Sequence, residues 1–448
     1  MKQQTSVQVG HNRTLTRLFW VAMAAQAILA IFVMKPWLTG DSRFYLGLAQ
    51  SIENGFYGWV QGGQQQADAL RPPGYPLVLW LLLHRLHLAL PSVIVLQMAL
   101  YIASIWLMVR RLDQEGISSS TFRLLALIYP FGALYCAFVM AEAWATLALT
   151  GIAVLVSSRQ LTVARLLISG AIAGLITLFR SDMLLLPLVI AFVAIARDWR
   201  SKRVPAILGR AVVPVLAAAA MLAPYAAWNS SNFNRFSPIP VASAVGNSLY
   251  LASWQGKLPL ADLNALYEGV VTKQAAESGL VGEMRQLNSS FGAPPLTAPF
   301  NPAAYATAQL QEQSSEVYLQ AAERRIAADP VHYATHVLTN VWALWNSSIY
   351  PPAIPAIGQW AMKLVSGLVW LAGGAGLLLA LFSRRPIGAA ALVTLYPMVV
   401  HLPLHTEARY TAAARPLLLM FASIAVLWLV RCYREGRLQL SGEKSVRI

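Results

Sequence analysis

Long apolar runs separated by short polar stretches dominate the chain. Ten of them approach the roughly 20 residues a helix needs to cross a bilayer: 16–34, 92–109, 122–140, 143–157, 164–179, 183–196, 209–228, 359–382, 387–404 and 411–430. The segment 74–90 (GYPLVLWLLLHRLHLAL) is equally apolar, but His84, Arg85 and His87 interrupt it. That pattern predicts a helix lying in the membrane interface rather than across it. Two long polar pieces remain. Residues 35–91 form a first loop. Residues 229–358 are rich in Asn, Ser, Gln, Ala and Pro and carry helical patterning over about 260–290 and 303–328, which predicts a small cap. The chain thus divides into an N-terminal membrane half (1–228), the cap region (229–358), C-terminal membrane helices (359–430) and a basic tail (431–448). The expected fold class is an all-α polytopic membrane protein.

Composition strengthens this reading. Hydrophobic residues make up 57% of the 448 residues and charged residues 12%, against roughly 45–50% and about 25% in soluble domains. Such a chain cannot cover a soluble surface, which excludes a cytosolic enzyme, a disordered chain and a fibrous repeat. Two cysteines, Cys136 and Cys432, exclude a disulfide framework and a four-thiolate metal site. The net charge of +15 is tested first as a topology signal. With the N-terminus in the cytoplasm, 20 of the 34 Lys and Arg residues fall in short inner loops and tails, including Arg110, Arg111, Arg159, Arg165, Arg197, Arg384, Arg385, Arg431 and Arg434. Treating 74–90 as a span would turn Arg110 and Arg111 outward. Ten spans with both termini cytoplasmic is therefore the expected topology. Gln26 interrupts the first apolar run and no small-residue cleavage site precedes Lys35 and Pro36, so a cleaved leader is not expected. The basic runs 197–203 and 431–437 read as membrane-surface anchors, not as nucleic-acid sites.

The chain contains only 19 Asp and Glu residues, so their positions carry information. Asp41 follows the first span, Glu142 ends the third, Asp182 lies in an outer turn (LFRSDM) and Glu407 opens the last (HTEARY). On the expected topology all four converge on the outer side. Ionisable groups at membrane boundaries mark functional sites. Arg71, Arg180, Arg409 and Arg415 fall in the same layer, and guanidinium groups bind phosphate bidentately. The set suits a substrate carrying phosphate on a lipid. His401 and His405 have metal-like spacing, but Pro403 lies between them, and no metal or other cofactor is expected. No glycine-rich phosphate loop, nucleophile elbow or zinc-protease motif occurs. The energy for outer-face chemistry must then arrive in an activated lipid.

The ordered segments resemble those of the GT-C superfamily of membrane glycosyltransferases, in particular bacterial relatives of protein mannosyltransferases and of the lipid A aminoarabinose transferase. Asp41 and Tyr45 precede a LAQSIENG stretch, RPPGYPL (71–77) closes the first loop, and Tyr129-Pro130 precedes Glu142. LFRSDMLLLP (178–187), APYAAWNSSNFNRFSPIPVASAVGNSLYLA (223–252), AADPVHYATHVLTNVWALW (327–345) and EARYTAAARPLL (407–418) follow in order. Two departures stand out. The first loop often has an acidic pair, whereas Ser42 follows Asp41 here. An Arg often precedes Asn229's position, whereas Trp228 stands here, with Arg235 further on. The resemblance implies a GT-C fold with an interfacial helix and a periplasmic cap, in a bacterial inner membrane. It implies transfer of a sugar, with inversion, from a polyprenyl-phosphate donor to an envelope glycan, lipid or secreted protein acceptor on the outer face. It further implies Asp41 as base, Glu142 as its partner, and Arg71, Arg180 and Arg409 around the donor phosphate. Tyr45, Tyr75, Asp182, Glu407 and Tyr410 fall to the same pocket. The rival reading is a transporter or lipid-sugar flippase, for which mid-membrane charges and a sequence repeat are expected. Neither is visible.

Overall fold

A computed structural model of the chain describes residues 16–28, 31, 36–61, 63–129, 131–199, 203–242, 245–267, 270–292, 307–346, 355–383 and 386–440. The expectations for Arg384, Arg385 and the tail 441–448 lie outside the described residues, as do parts of the first span and of the cap. Nearly all regular structure is helical. The helices in order are α1 (16–28), α2 (Gly40–Glu53), α3 (Gly74–Trp80), α4 (Pro91–Gln114), α5 (Ser120–Ile128), α6 (Phe131–Tyr135), α7 (Glu142–Val156), α8 (Val163–Thr177), α9 (Leu186–Asp198) and α10 (Val204–Phe233). Then follow α11 (Val245–Ala252), α12 (Leu260–Tyr267), α13 (Lys273–Glu277), α14 (Leu280–Ser290), α15 (Ala308–Ala328), α16 (Pro330–Asn346), α17 (Ala356–Phe382), α18 (Gly388–His401) and α19 (Arg415–Leu440). A short antiparallel ribbon, β1 (Gly58–Gln61) with β2 (Gln64–Ala67), sits in the first loop with Gly58 opposite Ala67.

Among the described residues four stretches are long and apolar enough to cross a membrane: α4, α10, α17 and the run Ala408–Glu435 that includes most of α19. α7, α8 and α18 are shorter apolar helices. This is a multi-pass helical membrane protein. Small residues let the helices approach closely. A Cβ on Gly170 or Gly174 would strike the backbone of α10 at Pro214 or Ala218, and one on Gly376 would strike the backbone of α19 at Phe421.

The expected span 122–140 is not one helix. α5 ends at Ile128, α6 is a single turn, and residues 136–141 run without helical structure into α7. Such backbone survives at membrane depth only when protein satisfies it. Here Trp37 pairs with it, donating to the Ala137 carbonyl at 2.9 Å and accepting from the Val139 amide at 3.3 Å. Buried Gln97 on α4 donates to the Cys136 and Phe138 carbonyls, both at 2.7 Å. The segment 74–90 begins as α3, widens into a π turn (Leu81–Arg85) and stops. At 1.5 Å per residue it is too short to span. Between α10 and α17, in the expected cap region, α11 to α15 share a core of their own around Tyr250, Leu251, Trp254, Leu263, Met284 and Tyr318, whereas α16 packs Leu344 and Trp345 into the main core.

Candidate functional site

The first loop is aimed by local chemistry. Thr39 caps α2: its hydroxyl accepts from the Ser42 amide while the Ser42 hydroxyl accepts from the Thr39 amide. This reciprocal box explains Ser42, fully buried where an acid was a possible neighbour. It sets Asp41 in the first turn of α2. The Trp37 pairing described above draws this turn alongside residues 137–139, just before Glu142 opens α7.

Arg71 is placed by Asp68. This carboxylate accepts from the Arg71 amide (2.6 Å), the Leu70 amide (3.2 Å) and the Trp59 indole (2.8 Å). Tyr57 donates to the Arg71 carbonyl at 2.8 Å. Three residues on, Gly74 donates to the Leu178 carbonyl at 2.7 Å. Its missing side chain matters, because a Cβ would lie 2.5 Å from the Phe179 ring and 2.6 Å from the Leu178 oxygen. RPPGYPL and LFRSD therefore meet through Gly74. The turn 181–183 is locked by Tyr396 of α18, which donates to the Asp182 carbonyl (2.5 Å) and accepts from the Leu185 amide (3.1 Å).

These elements enclose a cavity of about 270 Å³ lined by Asp41, Tyr45, Arg71, Glu142, Arg180, Asp182, His401, His405, Arg409 and Tyr410 among others. Two chains of ion pairs run through it. In the first, Asp41 Oδ1 meets Arg71 Nη2 at 2.5 Å and Oδ2 meets Arg409 Nη1 at 2.8 Å. Glu407 holds Arg409 from the other edge, Oε2 to Nε at 2.6 Å, and also accepts from the Tyr410 hydroxyl at 3.4 Å. In the second, Arg180 grips Asp182 through two nitrogens, at 2.9 and 3.2 Å, and reaches Glu142 Oε1 at 3.1 Å. Glu142 Oε2 is buried with no hydrogen-bond partner among the described residues.

Burial by itself pushes the Asp41 carboxyl up, but the guanidiniums of Arg71 and Arg409 outweigh it and hold it at about 2. Asp182 is likewise held below its ordinary value, burial being overcome by Arg180. Burial raises the Tyr45 hydroxyl. Burial, with Arg409 nearby, lowers His405 to about 3.

The candidate residues are not all equivalent. Tyr75 does not line the cavity: its hydroxyl donates to Gln97 at 2.8 Å and its ring packs edge-on against Tyr45. Glu407 supports from behind. Arg235 pairs with Glu312 on the cap, away from the cavity. Arg415 is buried and donates to Tyr129 at 2.8 Å. His401 and His405 turn to different carboxylates, His401 Nε2 to Asp182 at 3.3 Å and His405 Nε2 to Glu407 at 4.0 Å. Among the described residues no three His, Cys, Asp or Glu side chains group as a metal site. The sequence reading missed Asp68 and Gln97. An Asx-type signal three residues before Arg-Pro-Pro points to Asp68. Nothing local marks Gln97.

No protein-family model matches the chain, and no curated protein does. Solved structures do. An archaeal oligosaccharyltransferase, AglB from Archaeoglobus fulgidus, in complex with an inhibitory peptide and a dolichol-phosphate, aligns over 96% of this chain and 52% of its own with 13% identity and a TM-score of 0.48. The chain thus spans about half of AglB. ArnT from Cupriavidus metallidurans bound to undecaprenyl phosphate aligns over 96% of this chain and 81% of its own, with 14% identity and a TM-score of 0.39. Its apo state aligns over 92% and 77%, with 14% identity and the same score.

Proposed function

We propose that this chain is an inverting membrane glycosyltransferase of the GT-C kind. It moves a sugar from a polyprenyl-phosphate donor to a hydroxyl of an envelope glycan, lipid or protein on the outer face of a bacterial inner membrane. The observation that carries this reading is the shared cavity: Asp41 and Glu142, two of few acids in the chain, face Arg71, Arg180 and Arg409 there.

Sidedness supports it. α7 runs from the cavity at Glu142 to Val156. At its far end Arg111 donates to Ser157 (3.0 Å) and Arg197 to the Val156 carbonyl (3.0 Å). The arginine-rich ends of the helices thus lie opposite the cavity, as expected when the arginines are cytoplasmic.

One-step inversion needs a base for the acceptor hydroxyl and a stabiliser for the departing phosphate. Asp41 serves as base, with Glu142 orienting sugar or acceptor through its unengaged oxygen. Arg71 and Arg409 take the phosphate charge. Arg180, gripped by Asp182, fixes Glu142. α3 and the gap beside it admit the polyprenyl tail from the bilayer, and the cap selects the acceptor.

The test is transfer by purified protein in detergent from synthetic polyprenyl-phosphate mannose, glucose, aminoarabinose or arabinofuranose to envelope extract of a deletion strain, read by mass spectrometry. Wild type forms a sugar adduct that the deletion strain lacks. Asp41→Asn, folded by thermal shift, loses at least roughly 100-fold in rate. Full activity in Asp41→Asn overturns its role as base. No adduct with any donor overturns the transferase.

A further inference from the structure

We infer that Asp41 occupies the donor-phosphate subsite of the resting protein as an internal anion, and that the phosphate of a polyprenyl-phosphate sugar displaces it from Arg71 and Arg409. The inference rests on the transferase reading above and says how its base is armed.

Both oxygens of Asp41 are taken: Oδ1 by Arg71 at 2.5 Å and Oδ2 by Arg409 at 2.8 Å. A carboxylate so held has little basicity to offer an acceptor hydroxyl. Its two oxygens, each on a separate guanidinium, reproduce what the two non-bridging oxygens of a phosphodiester would present to the same pair. Of the two arginines, Glu407 pairs with Arg409, so two buried guanidiniums sharing that single carboxylate would be short of one negative charge, which is costly. Asp41 supplies that charge at rest, and a phosphodiester supplies it equally well, so the exchange trades one monoanion for another.

The clamp is supported independently of Asp41. Glu407 holds Arg409 through its opposite edge at 2.6 Å. Asp68 and Tyr57 fix the backbone of Arg71. Arg180 is a poorer candidate for the exchange, because Asp182, two residues away on the same locked turn, grips it bidentately.

Once displaced, Asp41 no longer faces two cations and its proton affinity rises. In the transfer that follows, the acceptor oxygen bonds to the anomeric carbon while its proton passes to Asp41. The bond from that carbon to the phosphate oxygen breaks, and the electron pair leaves with polyprenyl phosphate, whose added charge falls on Arg71 and Arg409. Donor binding therefore precedes activation of the acceptor.

The experiment titrates polyprenyl monophosphate into the full-length chain in detergent and measures affinity. Removing the competing anion should tighten binding: Asp41→Asn and Asp41→Ser should each bind roughly tenfold more strongly than wild type, although transfer is lost. Arg71→Ala and Arg409→Ala should bind more weakly. Asp182→Asn, which removes the same charge from the same cavity without touching the clamp, should not tighten to a similar degree. The inference is overturned if the Asp41 variants bind no better than wild type, if Asp182→Asn tightens equally, or if neither arginine variant weakens binding. Wild type that fails to bind polyprenyl phosphate at all removes the transferase reading as well.

Discussion

His405 is fully buried among the charged groups of the cavity, and its imidazole is held at about 3 by that burial and by Arg409. An unfolded histidine titrates near 6.5. Between about 6.5 and about 3 the unfolded chain therefore binds more protons than the native one, and stability falls as the pH drops through that window. Thermal shifts in detergent should show the melting temperature declining over this range, with a shallower decline in His405→Gln. An unchanged slope in the variant would mean that His405 is not the group responsible. At this level the sequence was informative wherever a residue type was rare. Asp41, Glu142, Asp182 and Glu407 stood out because acids are scarce. His405 stood out only as a spacing, and the fold gives His401 and His405 separate carboxylates. Asp68 escaped notice because its role, gathering the Arg71 and Leu70 amides, is visible only once the turn is formed.

Hydropathy reads 122–140 as one continuous element, and the fold breaks it. Apolarity measures what side chains want, whereas a span also requires every backbone group to be bonded. Gln97 supplies the missing bonds to the 136–138 backbone and accepts from Tyr75, tying α3, α4 and the approach to Glu142 together. Gln97→Leu fits the volume and keeps the span apolar, yet it takes the Gln97 bond from the Cys136 carbonyl and the Tyr75 hydroxyl and leaves the Phe138 carbonyl with the Met140 amide. We expect a loss on the order of 3 kcal/mol, seen as a lower melting temperature in detergent together with reduced transfer. A variant as stable as wild type would refute the bridging role. The short helices α7 and α18 follow the same logic in reverse: α7 begins at Glu142 and α18 stops at His401, where ionisable residues face the cavity rather than lipid.

For the molecule as a whole, α19 runs from Arg415, beside the cavity-forming turn, to Leu440. Cys432 lies 17 residues beyond Arg415, or about 26 Å along a helix, close to the thickness of a hydrocarbon core. Cys432 is exposed and Cys136 buried, so the native chain carries its own reporter for the end of α19 remote from the cavity, which the proposed topology puts in the cytoplasm. A membrane-impermeant maleimide should leave Cys432 unlabelled in intact bacteria and label it after permeabilisation. In Cys432→Ser/Ala276→Cys, whose new thiol sits at an exposed cap position, labelling of intact cells is expected. The reverse pattern would place the cavity on the cytoplasmic side and end the proposal for outer-face chemistry.

Hydrophobic patterning was enough to establish a helical multi-pass membrane protein, because transfer from water to lipid is decided locally, run by run. Which charges meet is a matter of contacts between segments well separated along the chain, Arg180 with Glu142 across 38 residues and Arg409 with Asp41 across 368, helped by backbone contacts such as Gly74 with Leu178. Those pairings depend on how helices cross and where backbone leaves the helix, and no local preference encodes either.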